Sequence, residues 1–62
     1  MSKYKVGDII NASYNYNEEL YYLIIEVSHS QRKYNTIHVA SGREKPIGFD
    51  TAHSCYGIIS RA

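Results

Sequence analysis

The sequence lacks several of the features that anchor or stabilise small proteins. Cys55 is its one cysteine in 62 residues, so no internal disulfide can form and a zinc site built on paired cysteines is excluded. No apolar run approaches the ~20 residues needed to cross a bilayer, and the first residues lack a signal-peptide core. We therefore expect a cytoplasmic protein that makes no membrane contact, in keeping with a lone reduced thiol.

An excess of charge of one sign is also missing. Seven basic residues stand against six acidic ones, which gives a net charge of +1. This balance is not typical of a strongly basic nucleic-acid-binding protein. A chain of this length buries only about 60% of its unfolded surface, so its stability margin is thin. Because a disulfide and a cysteine-rich metal site are excluded, oligomerisation is the support that remains open.

The residues that are abundant favour β-structure. The chain has eight isoleucines, three valines and seven tyrosines but only two leucines, and such β-branched and aromatic residues suit a pleated, half-buried surface. It has no internal repeat and no linker-like stretch. We expect one domain spanning residues 1–62.

Alternating apolar and polar residues predict five short strands and one helical turn. The strands are Asp8–Tyr14, Leu20–Ser28, Tyr34–Ala40, Ile47–Phe49 and Tyr56–Ser60, and the helical turn is Asp50–Ser54. A two-sheet sandwich of this size could not be filled. The sequence therefore predicts an all-β fold, a five-stranded partly open barrel with one short helical turn before the last strand.

This layout resembles that of small SH3-like barrel proteins. The opening Lys5-Val6-Gly7-Asp8-Ile9-Ile10 is similar to the first strand of many such barrels, and a helical turn before the last strand is typical of them. The chain contains no tryptophan, which argues against the polyproline-binding groove of peptide-binding SH3 domains. It also resembles short accessory proteins of phages and mobile elements, which implies an inhibitor that acts on a host factor.

Side-chain alternation predicts which residues are buried. In the second strand we expect Tyr21, Leu23, Ile25 and Val27 to point inward because no polar residue interrupts them. The complete predicted core is Val6, Ile10, Ala12, Tyr21, Leu23, Ile25, Val27, Ile37, Val39, Phe49 and Ile58.

Three isoleucine doublets, one in each of three strands, suggest a second apolar surface. In Ile9-Ile10, Ile24-Ile25 and Ile58-Ile59, alternation places one member inside and its neighbour outside. The alternative is that a strand bends at a bulge and tucks both members inside. The first interpretation predicts a non-enzymatic protein-interaction module, a homodimer that binds or inhibits a partner protein. The predicted protein interface comprises Ile9, Leu20, Tyr22, Ile24 and Ile59.

Other constellations in the sequence are weaker. The alternative function is a small nucleic-acid-binding barrel, in which loop residues Arg32, Lys33, Arg43 and Lys45 act with tyrosines. A second group, Asp50, His53 and Cys55, has the residue types of an activated thiolate.

For that group the plainer interpretation is preferred, in which Asp50 caps the helical turn and Cys55 fills space. Three histidines in separate elements match no zinc motif. We expect no catalytic residues, no metal, no cofactor and no small-molecule substrate.

Overall fold

The computed structural model describes residues 3–12 and 20–62, and within them five antiparallel strands form one sheet. The elements are β1 (Ile9–Ala12), β2 (Tyr21–Ser28), β3 (Lys33–His38), β4 (Glu44–Gly48), α1 (Phe49–Cys55) and β5 (Tyr56–Ser60). The strand order is β4-β3-β2-β1-β5, so the sheet is not closed and β4 and β5 are its edges. The all-β class, the five strands and the helix before the last strand are confirmed. The predicted strand end at Ser13–Tyr14 and the polar turn at residues 15–19 lie outside the described residues.

Helix α1 is longer than the predicted turn and begins differently. Its N-cap is Gly48, which makes no side-chain hydrogen bond, so the prediction that Asp50 caps the helix is wrong. Asp50 lies in the first turn, where a negative charge interacts favourably with the helix dipole. Phe49 and Ala52 are the buried residues that attach α1 to the sheet.

The core lies between one face of the sheet and α1, and it is rich in aromatic rings. Its buried members are Tyr4, Ile10, Tyr22, Ile24, Tyr34, Ile47, Phe49 and Ala52, with Leu20, Val27, Tyr56 and Ile58 packed against them. The predicted burial of Ile10, Ala12 and Phe49 is confirmed. Val6, Ile25 and Val39 are exposed, so their assignment to the core is wrong.

A bulge in β2 explains why the predicted inward set of this strand failed. Ile24 pairs with Thr36, and Glu26 pairs with the next residue of β3, Asn35, so Ile25 is an extra residue on β2. Tyr22 and Ile24 are buried before the bulge, and Val27 packs against the core after it. A bulge shifts the alternation by one residue. Tyr21, Leu23 and Val27 therefore do not share a face.

Strand β3 buries Tyr34 and Thr36 rather than Ile37. Tyr34 and Thr36 are fully buried, whereas Ile37 on the opposite face is only partly buried. The burial of Thr36 costs little because its Oγ1 donates a hydrogen bond to the Lys45 carbonyl oxygen at 2.7 Å. Sequence hydrophobicity predicted the reverse orientation, since it does not account for hydroxyl groups that find partners on folding.

The segment before β1 forms a turn closed by Asp8. The backbone amides of Ala62 and Lys5 donate to the two carboxylate oxygens of Asp8, at 2.9 Å and 3.0 Å. The Ala62 amide contributes most to lowering the pKa of Asp8. Burial opposes this effect, and the Lys5 amide adds to it. Gly7 has a φ of +95°, and a Cβ there would lie 2.8 Å from the Cβ of Ala62. The Gly-Asp pair thus joins the two ends of the described chain.

Candidate interaction surface

The face of the sheet opposite the core carries a row of aliphatic side chains. Ile9 on β1 pairs with Leu23 on β2, and Leu23 pairs with Ile37 on β3. Their neighbours Ile10 and Ile24 are fully buried in the core, so alternation directs Ile9 and Leu23 to the other side. We call Ile9, Leu23 and Ile37 the outer row.

More apolar side chains extend this row in both directions. Ile25 is 36% exposed, Val39 is 53% exposed and Ile59 is 46% exposed. Val39 lies next to Tyr21, because the Val39 amide donates to the Tyr21 carbonyl oxygen at 2.9 Å. We call the outer row together with Tyr21, Ile25, Val39 and Ile59 the outer face.

Polar groups border the outer face. The side-chain amide of Asn35 donates to the Glu26 carboxylate, and these residues pair across β2 and β3 beyond the bulge. Glu44 on β4 pairs with Ile37 at the other border. An apolar centre with a polar rim is the usual anatomy of a protein–protein contact.

The structure corrects most of the interface predicted from the sequence. Tyr22 is 7% exposed and Ile24 is fully buried, so the prediction that they point outward is wrong. Leu20 packs against the core as well. The reason is the shift in alternation at the β2 bulge. Of the five predicted residues, Ile9 and Ile59 lie on the outer face.

The isoleucine doublets were nevertheless the signal that pointed to two apolar surfaces. Each doublet has one member in or against the core (Ile10, Ile24, Ile58) and one on the outer face (Ile9, Ile25, Ile59). Two of the doublets coincide with bulges, since the β1–β5 register also shifts where Ile59 is inserted. The bulges do not tuck both members inside, so that alternative is wrong.

One amide lies beside the outer row. Asn11 pairs with Tyr21 on one side and Gly57 on the other, which places it on the same side of β1 as Ile9. It is buried, and its Oδ1 has no hydrogen-bond partner among the described residues. A buried oxygen without a partner is unfavourable.

The structure separates the four basic residues of the alternative function. Arg32 and Lys33 lie where β3 begins, whereas Arg43 lies beyond its end, where its carbonyl oxygen accepts from the His38 amide. Arg32 forms an exposed ion pair with Asp50, with N and O atoms 3.4 Å apart. The ammonium group of Lys45 lies over a core ring, that of Tyr22, at 5.3 Å. No common patch forms from these four residues. Nucleic-acid binding stays an untested prediction.

Asp50, His53 and Cys55 do not assemble into a catalytic group. Asp50 pairs with Arg32, and His53 Nε2 lies 2.7 Å from the Tyr34 hydroxyl. The Cys55 Sγ lies 3.6 Å from the hydroxyl of its neighbour Ser54. The part of the chain that the structure describes holds no cluster of three metal-binding side chains and no cavity.

Within residues 3–12 and 20–62, no helix is long and apolar enough to span a membrane. No protein-family model, curated protein or solved structure matches the chain.

Proposed function

We propose that this protein is a non-enzymatic protein-interaction module and that its outer face binds a second copy of the same chain. The observation that carries the proposal is the outer row, in which Ile9, Leu23 and Ile37 stand side by side on three neighbouring strands. The core uses the opposite face of these strands. The outer row is half-buried within one copy, and the apolar surface that it leaves exposed, together with that of Ile25, Val39 and Ile59, is available for another layer.

The chemistry of the outer face favours a second copy as the occupant. Among the residues that the structure describes, no charged side chain lies at the centre of this face, so they offer nothing there for a charged partner to recognise. A row of aliphatic side chains can pack against its own copy across a two-fold axis, because the side chains of each row fit between those of the other. Two sheets stacked this way lie about 10 Å apart, as in a β-sandwich.

The area of the face is sufficient for a weak dimer. Four strands at ~4.8 Å and five residues at ~3.3 Å give a footprint of about 300 Å² per copy. Burying about 600 Å² in total contributes about 15 kcal/mol, against an association cost of about 4–15 kcal/mol. With an association cost in the middle of that range, the net free energy of association corresponds to a dissociation constant on the order of 100 μM.

We also propose that the fold is an SH3-like barrel. The support is the layout, in which five short antiparallel strands form an open sheet and α1 immediately precedes the last strand. Such a barrel would expose the outer wall of its sheet, which is the surface assigned here to dimerisation.

Sedimentation equilibrium on purified protein tests the proposal. We expect a monomer–dimer equilibrium between about 1 μM and about 1 mM, weakened at least tenfold by Ile37→Thr. Asn35→Thr is the matched control, because Asn35 lies two residues away on the same side of β3 but in the polar rim. A strict monomer at about 1 mM would refute the dimer. Equal effects of the two substitutions would refute the assignment of the surface.

A further inference from the structure

A cluster of hydrogen bonds on the core side of the sheet ties the N-terminal segment to α1. The hydroxyl of Tyr34 on β3 accepts hydrogen bonds from the backbone amides of Lys3 and Tyr4, each at 3.1 Å. The same hydroxyl lies 2.7 Å from Nε2 of His53 on α1. Tyr34 is fully buried, so water does not substitute for these partners. Three elements therefore meet at one oxygen atom.

The number of partners fixes the direction of the third bond. A phenol has one proton to donate and at most two lone pairs to accept with. Two N–H groups, from Lys3 and Tyr4, already use the lone pairs of the Tyr34 oxygen. Tyr34 must therefore donate its proton to His53, which requires Nε2 to be unprotonated and the imidazole proton to be on Nδ1.

We infer that His53 is a proton-operated latch that holds the N-terminal segment against the core. A proton added at Nε2 would face an oxygen that has no lone pair left, because both accept from the amides of Lys3 and Tyr4. Either the imidazolium turns away or the two amides leave. If the amides leave, the segment opens directly. If the imidazolium turns away, the buried proton of the Tyr34 hydroxyl has no acceptor, so opening becomes more favourable because it lets water accept this proton. This inference does not depend on the proposed dimer.

Opening would uncover part of the aromatic core. Tyr4 is buried, its ring lies against Tyr34 at a centroid distance of 5.6 Å, and its hydroxyl donates to the Tyr56 carbonyl oxygen at 3.0 Å. Burial, and then the neighbouring Tyr34, raises the pKa of Tyr4, so this phenol keeps its proton at neutral and acidic pH. The proton that operates the latch is thus the one added to His53.

Within residues 3–12 and 20–62, few other titratable or charged groups surround His53. Tyr34 faces it from β3 and Tyr4 from the N-terminal segment, while Phe49 stacks on it from the same helix at 5.7 Å. The charged or ionisable neighbours on α1 are Asp50 and Cys55. Two more lie near Tyr4: the ammonium of Lys3 is 5.6 Å from the centre of the Tyr4 ring, and the charge of Arg61 acts on the Tyr4 phenol. The test uses the window between about pH 7.5 and pH 5.5, because carboxylates stay ionised there and the ordinary pKa of a histidine side chain lies within it.

Nuclear magnetic resonance on the ¹⁵N-labelled protein tests the latch. At about pH 7.5 we expect the His53 ring nitrogens to report the Nδ1-protonated tautomer. On lowering the pH to about 5.5, the hydrogen-exchange protection factor of the Tyr4 amide should fall roughly tenfold, the equivalent of about 1.4 kcal/mol. A proton on Nε2 at the higher pH would overturn the inference. Unchanged protection of Tyr4 after the His53 ring has become protonated would overturn it as well.

Two substitutions make the test specific. In His53→Gln the side-chain carbonyl can still accept from Tyr34 but cannot gain a proton, so protection of the Tyr4 amide should no longer depend on pH. His29→Gln is the matched control, because His29 is an exposed residue that also contacts Phe49, and this variant should keep the full response. Loss of the response in His29→Gln would contradict the assignment to His53. If His53→Gln does not fold, the tautomer of His53 in the unsubstituted protein still tests the inference.

Discussion

Single replacements of Ile24 and Ile25 by valine would test which side of β2 is the core. The two residues are neighbours with the same side chain, but Ile24 is fully buried and Ile25, the extra residue of the bulge, is 36% exposed. Valine keeps the β-branched shape and removes one methylene group. The structure predicts that the Ile24 variant is the less stable of the two, the opposite of what uninterrupted alternation along β2 predicts.

The size of the difference follows from burial and from chain length. Removing one methylene from a fully packed site costs about 1 kcal/mol, whereas a partly exposed site loses about 0.5 kcal/mol or less. The entropy of unfolding of a 62-residue chain is about 130 cal/mol/K, so 1 kcal/mol lowers the melting temperature by about 8 °C. We expect a decrease of about 8 °C for Ile24→Val and of no more than about 4 °C for Ile25→Val.

Thermal unfolding followed by circular dichroism, with urea unfolding as a second measure, gives both values. The protein should be dilute, so that an effect of Ile25 on association does not enter. If Ile25→Val lowered stability as much as Ile24→Val or more, the core would lie on the side of β2 that carries Ile25, which would refute the assignment of Ile24 to the core.

Three further predictions concern the turns. Gly42 has a φ of +74° and open space around it, so Gly42→Ala should lower the free energy of unfolding by about 1–2 kcal/mol. Gly7→Ala should lower it by more, because the new Cβ would overlap Ala62. Equal losses of stability in urea denaturation would contradict this packing. Asp8→Asn should lower the free energy of unfolding by about 1–3 kcal/mol at neutral pH. The folded-state pKa of Asp8 lies below the unfolded value of about 3.9, so its stabilisation is present above that pH and is lost as the pH falls through the folded pKa. The stabilities of the two proteins should therefore become equal in acid. A difference in stability that persists there would argue against a role for the negative charge of Asp8. Arg32→Gly should raise the melting temperature, since a φ of +52° strains arginine by more than its exposed ion pair contributes; a lower melting temperature in a thermal scan would count against this.

The strand layout could be predicted from the sequence because it depends on local signals. The bounds of β5 were predicted to the residue, and α1 extends the predicted turn by one residue at each end. Runs such as Tyr56–Ser60, bounded by polar or turn-forming residues, have few alternative structures. Asp8 was assigned to the first strand, although it closes the turn before β1, because its partner Ala62 is more than fifty residues away.

The inward faces of β2 and β3 could not be predicted in the same way. The bulge at Ile25 depends on pairing with Thr36 and Asn35, which lie on another strand, and no residue within β2 marks it. Burial of Tyr34 depends on backbone amides and a histidine that approach it only in the folded chain. The isoleucine doublets predicted that two apolar surfaces exist. Tertiary contacts decide which isoleucine of each doublet lies in the core and which lies on the outer face.

The most direct test of the outer face is an isotope-filtered nuclear Overhauser experiment on a mixture of methyl-labelled and unlabelled protein at about 1 mM, well above the expected dissociation constant. We expect intermolecular contacts to the methyl groups of Leu23 and Ile37 and none to those of Ile24. Contacts confined to other parts of the surface, or no intermolecular contact at this concentration, would contradict this expectation.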